Sequence, residues 1–159
     1  MLIIIESLAI CFVLLIICVI GISNGPVGAV YFYEIDVQER VVELGLTTKD
    51  KIKKDYMIAG VCLFIPILVW VPWMVYFING AREFMDIFAQ ITSILLIVGL
   101  FDRIFIDWYW VGKTKSWYIP GTEDLMPYIP AKTLAKKWIG TVVGYPLMAA
   151  ILAVIISIL

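Results

Sequence analysis

The sequence contains no histidine. That absence removes bis-histidine haem ligation, the common zinc site and imidazole acid–base chemistry. Charge is also scarce. Only 16% of the 159 residues are charged, against about 25% in soluble domains. The net charge of −1 leaves no basic face for phosphate, which argues against nucleic acid as a partner. The three cysteines, Cys11, Cys18 and Cys62, form no CxxC, and membrane thiol–disulfide enzymes need a cysteine pair. Cys11 and Cys18 share a helix face but lie about two turns, roughly 10 Å, apart, too far to bridge. They read as small buried apolar residues. There is no nucleotide-binding loop, no spaced-aspartate pattern of the CDP-alcohol transferases, and no internal repeat. No metal and no cofactor is expected.

Apolar residues dominate instead. They make up 63% of the chain, with a mean hydropathy of +1.01. This excess is gathered into four runs, each long enough to cross a hydrocarbon layer of about 30 Å, which takes about 20 helical residues. The expected fold is an all-α integral membrane protein. It is a single transmembrane domain over 1–159, a four-helix bundle with spans near 8–31, 56–78, 84–111 and 138–159.

The first apolar stretch, Leu2–Tyr33, is too long for one straight span, and Asn24-Gly25-Pro26 interrupts it. One reading has a span over Leu2–Ile22 followed by chain along the interface. The other has a span over 8–31 with a break inside the membrane. Tyr31-Phe32-Tyr33, as interfacial anchors, favour the second. The N-terminus has no basic leader and no A-x-A pattern, and it carries Glu6, so it reads as a retained span rather than a signal peptide.

Between the first two spans, Val37, Val41 and Leu44 fall at i, i+4 and i+7. They form the inward face of a short amphipathic helix, with Gln38, Glu39 and Glu43 turned away and Gly45 ending it. Thr47 with Asp50 resembles a helix start, so a new helix begins near Thr48 and runs into the second span. Asn79-Gly80 is a turn. The segment 113–137 holds Pro120-Gly121, Pro127 and Pro130, which rule out a long helix. Its aromatic residues, Trp117, Tyr118 and Tyr128, suit a membrane surface.

Lysine and arginine cluster in two loops. Arg40, Lys49, Lys51, Lys53 and Lys54 follow the first span. Lys113, Lys115, Lys132, Lys136 and Lys137 follow the third. Loops 34–55 and 112–137 are therefore expected to be cytoplasmic, with both termini non-cytoplasmic, in the cell (inner) membrane.

The third span carries Asp86, Gln90, Ser93, Asp102, Arg103 and Asp107. A charge at the bilayer centre costs from roughly 3 to more than 10 kcal/mol, so such groups need partners or water. Arg103 and Asp107 are i, i+4 neighbours and can pair. Asp102 points about 100° away and is expected to find its partner elsewhere, such as on another helix. Asn24-Gly25-Pro26, Pro66, Asp102-Arg103 and Gly144-Tyr145-Pro146 fall at a similar depth. Irregular backbone is tolerated within a membrane where it lines a cavity.

The expected site is therefore a cytoplasm-facing polar layer of Asn24, Asp102, Arg103, Asp107 and Tyr145. It would bind or transport an anionic or amphipathic small molecule or a lipid, with membrane lipids as partners. The same residues also allow a membrane-embedded enzyme on a lipid-type substrate, with Asp102 or Asp107 as acid–base and the aromatic loop as lid. They also allow interhelical glue in a structural subunit of a larger complex. Gly140 and Gly144 form a GxxxG through which a homo-oligomer could pack. Asp102, Asp107, Glu123 and Asp124 match no magnesium-binding spacing.

Overall fold

The computed structural model describes residues 2–158, and among them there are helices and turns but no strand. Four helices are long and apolar enough to cross a membrane: α1 (Leu2–Ile22), α3 (Lys49–Ile78), α4 (Phe84–Val111) and α5 (Ala131–Ser157). A short helix, α2 (Ile35–Glu43), stands between α1 and α3. The outward faces of the long helices expose large apolar side chains such as Phe12, Phe64, Ile104 and Leu147. A surface of that kind is compatible with an integral membrane protein.

α4 is the centre of the bundle. Ile87, Ile91, Ile94 and Leu95 repeat at helical spacing and are fully buried between α1, α5 and the end of α3. Between apolar helices in lipid, association rests on van der Waals packing rather than water exclusion, and small residues let backbones approach. α5 supplies them as Ala149 and Ala153, both fully buried, and α4 supplies Gly99. A Cβ at Gly99 would stand 2.5 Å from Thr141 Cγ2 and 2.8 Å from the Tyr145 ring. The close contact thus forms at Gly99. Gly140 and Gly144 face open space, where an added Cβ would meet nothing within 4 Å.

The first span differs from the 8–31 expectation. The helix runs Leu2–Ile22, the bounds of the other reading. Gly25 then turns the chain with φ +96°, and a 3-10 segment, Pro26–Phe32, folds back on the end of α1. A Cβ at Gly28 would meet the Gly21 carbonyl oxygen at 2.5 Å, so only glycine permits this approach. Ala29 and Val30 are buried there.

α2 forms where its spacing predicts, with Val37 and Val41 buried. Leu44 is 46% exposed, because it lies past the last helical turn, where it touches the Gly121 backbone region. α3 starts one residue later than the Thr47 reading: Thr48 caps it by accepting from the Lys51 amide at 3.3 Å. α5 starts at Ala131, seven residues ahead of the expected span, because Pro130 marks its first turn and the amphipathic stretch 131–139 continues straight into the apolar one.

A second buried cluster lies at the loop end. Cys18, Ala29, Val30, Tyr33, Val37, Val41, Trp117, Ile119 and Tyr128 pack there, joining α2 and the 112–130 loop to the helix ends. At the opposite end, Asn79 Nδ2 donates to Glu6 Oε2 at 3.0 Å and to Gln90 Oε1 at 2.8 Å, pinning α1, α3 and α4 together.

Candidate functional site

The charged layer lies between the two apolar clusters. It forms where α4 changes winding: from Asp102 to Val111 its backbone follows the wider π-helical pattern. The same pattern recurs at Pro66–Trp70, Met74–Ile78 and Gly140–Gly144, so it does not by itself mark the layer. Arg103 donates to both Asp102 and Asp107. The expectation that Asp102 would find its partner elsewhere is corrected: the two-pronged guanidinium of its immediate neighbour reaches both carboxylates.

From α5, Lys137 Nζ reaches Asp107 Oδ1 at 2.9 Å. Arg103 and Asp107 are 7% and 6% exposed, and Asp102 and Lys137 flank them as partly buried side chains. Burying charges is tolerated only when they are paired and hydrogen-bonded. Here two carboxylates face two cations. One nitrogen of the guanidinium has no partner: Arg103 Nε is buried without one, and so is the indole Nε1 of Trp117.

Both residues line a cavity of about 220 Å³, together with Cys18, Asp102, Asp107 and Lys137. Leu14 and Leu63, from α1 and α3, complete its floor. A second cavity of about 410 Å³ shares Leu14, Leu63 and Asp102 with the first, so the two are adjacent. The second is almost wholly apolar, lined by Ile10, Val13, Phe64, Ile67, Val98 and Met148, and bounded on the α5 side by Gly140, Gly144 and Tyr145. Pro66 and the glycines open π-helical turns in α3 and α5, at Pro66–Trp70 and Gly140–Gly144, and these irregular turns lie along its wall.

The loop after α4 covers the polar end. Tyr33 donates its hydroxyl to the Trp117 carbonyl at 2.6 Å. The Tyr128 hydroxyl accepts from the Ile119 amide at 3.0 Å and bonds Thr122 Oγ1 at 2.8 Å. The Tyr33 ring meets Tyr128 edge-on, with centroids 4.9 Å apart, and burial pushes its phenol pKa up. Outside, Arg40 of α2 grips Asp124 through two hydrogen bonds of 3.0 Å. Tyr118 donates to Glu123. These bonds hold the carboxyls of Asp124 and Glu123 below their ordinary values.

Of the sequence-derived residues, Asp102, Arg103 and Asp107 are brought together. Tyr145 borders the adjoining apolar cavity beside Asp102. Asn24 is separate. It is exposed past the end of α1, in a surface groove with Gly28, Lys51 and Asp55, because the Gly25 turn carries it away from the layer. Glu123 and Asp124 sit in the surface loop and do not approach the aspartates of α4 through any hydrogen bond. Sequence reasoning missed Lys137, which counted only toward topology, and Cys18 and Trp117 as cavity lining. Lys137 stands one helical turn before Thr141, which packs on Gly99 of α4, and only that packing shows that this side of α5 faces the aspartates.

Comparison with protein-family models, curated proteins and solved structures finds no match to this chain.

Proposed function

We propose that this chain is a small integral membrane protein that binds an amphipathic, lipid-like molecule from the cytoplasmic leaflet. The polar end would sit against Arg103, and the apolar end in the cavity between α1, α3, α4 and α5. The observation that carries the reading is that Arg103 and Trp117, each of which keeps a buried N–H without a partner, at Nε and Nε1, line a cavity that adjoins an apolar one. Unpaired buried polar groups cost about 1–3 kcal/mol each, so a site that keeps two of them calls for a partner. Apolar pockets with a few placed polar groups are the usual form of small-molecule sites.

The cytoplasmic assignment rests on the lysine and arginine bias of the two long loops, which flank this end of the bundle. In this reading the 112–130 loop is a lid, and α2, fastened to it through Arg40, is its hinge support. Binding alone is the economical form of the proposal, since both carboxylates are engaged by cations and neither stands free as a base.

The test is native mass spectrometry of the protein purified in a mild detergent. The expected spectrum carries a stoichiometric adduct in the lipid mass range that survives gentle activation. A spectrum of bare protein, with no added lipid bound on titration either, would contradict the reading. It would leave the charge layer as interhelical glue.

A further inference from the structure

Resting on that lipid-binding reading, we infer that the head group is uncharged and rich in hydrogen-bond acceptors, an acyl ester of a small polyol rather than a phosphate. The charges lining the polar cavity decide this. Asp102 and Asp107 face Arg103 and Lys137, two against two, and every formal charge already has a counterpart. A phosphate placed there would be an additional buried anion with no cation to spare. Removing one partner from a buried charge set is costly because it leaves an uncompensated charge, and adding an unmatched anion creates the same condition.

What the cavity lacks is not positive charge but acceptors. Two of its lining residues keep a buried N–H without a partner, Arg103 at Nε and Trp117 at Nε1, and neither atom can accept. The remaining unsatisfied buried side-chain atoms among the described residues belong to Glu6, Asn79 and Thr92, none of which lines this cavity. An ester carbonyl supplies an acceptor without bringing charge. A volume of about 220 Å³ suits a small head.

The adjoining cavity takes the acyl chain. Gly140, Gly144 and Met148 follow one face of α5 along its wall, over about 12 Å of helix rise. The two glycines hold that wall open, since an added Cβ would meet no protein atom there. The cavity's only polar neighbours are Asp102, at the junction with the head site, and Tyr145.

The experiment titrates the full chain in nanodiscs with monooleoylglycerol and with lysophosphatidate of the same acyl chain, read by native mass spectrometry. The expected result is tighter binding of monooleoylglycerol, by about tenfold or more, with little response to salt. Trp117→Phe keeps a ring and removes one donor, and should weaken monooleoylglycerol about five- to tenfold. Gly144→Leu fills the apolar cavity without touching the four charges and should abolish binding of the long-chain ester, with unchanged thermal stability as the check on folding. Equal or tighter binding of lysophosphatidate overturns the neutral-head inference and leaves the lipid site standing. Binding of neither probe overturns both. Unchanged affinity in both Trp117→Phe and Gly144→Leu overturns the placement of head and chain.

Discussion

Tyr33 and Trp117 are joined by a hydrogen bond of 2.6 Å from the phenol to the backbone carbonyl, and this one contact ties the segment after α1 to the loop after α4. Both residues are buried, and Tyr128 wedges against the Tyr33 ring. Trp117, whose indole N–H is buried without a partner, also lines the polar cavity, so the bond helps to set the position of a cavity residue. Tyr33→Phe keeps the ring and leaves the carbonyl unpaired, at a cost of about 1–3 kcal/mol. Amide hydrogen exchange should quicken across residues 113–130 while the protected amides of α4 stay unchanged. Uniform exchange in variant and parent would mean that the loop is held by other contacts.

The outer fastening of the loop should weaken in acid. Arg40 holds the Asp124 carboxyl below its ordinary value of 3.8, and Tyr118 holds Glu123 low. A folded-state value that is depressed favours the ionised, fastened form. Its contribution is full above the ordinary carboxylate range and is lost as pH falls through the folded value. Both groups are exposed, so the effect is confined to the loop. Limited proteolysis at Gly121 to Pro127 should speed up from neutral pH to about pH 3, the lower end of that range. Asp124→Asn should raise the neutral-pH rate and flatten the profile. A profile unchanged by Asp124→Asn would assign the acid response to another group.

Orientation is open to labelling. In a chain freed of its native cysteines, a cysteine at Glu83, exposed beside the α3–α4 turn, should react with an impermeant reagent from the non-cytoplasmic side. Cysteines at Lys53 or Lys115 should be protected. Glu83 is preferable to Asn79, whose amide is bonded to Glu6 and Gln90. The reverse pattern would move the charged layer to the other leaflet.

The sequence was most legible where one periodicity governed many residues. α4 ends at the expected 84 and 111, because unbroken apolar spacing is bounded by a turn and a glycine. α2 was legible from three apolar positions, two of which are buried. The first span misled because Tyr31-Phe32-Tyr33 resemble an interfacial belt. Those residues instead follow a reversal made possible by Gly28 lying on the Gly21 carbonyl, a contact between backbones that leaves no trace in hydropathy. Asn24 was drawn into the site by the same misplacement.

The charge cluster was legible as a set, since Arg103 and Asp107 sit four apart. The pairing of Asp102 with its immediate neighbour was not, because it depends on how the long, flexible Arg103 side chain is turned, which helical spacing does not fix. The GxxxG of Gly140 and Gly144 was visible. That it faces open space was not, since packing at Gly99, Ala149 and Ala153 decides where α4 and α5 touch.

The most direct test of the central claim separates what the charge layer does for the fold from what it does for a ligand. Arg103→Met alone leaves Asp102 and half of Asp107 unpaired in a buried layer, and should cost about 3–5 kcal/mol of stability. Adding Asp102→Leu removes the stranded carboxylate and leaves the Asp107–Lys137 pair, so stability should largely return. Lipid occupancy, read by native mass spectrometry on that stable double variant, is the measurement. A folded bundle that has lost the lipid carried by the parent is the expected result. A double variant that regains both stability and full lipid occupancy would contradict a binding role for Arg103.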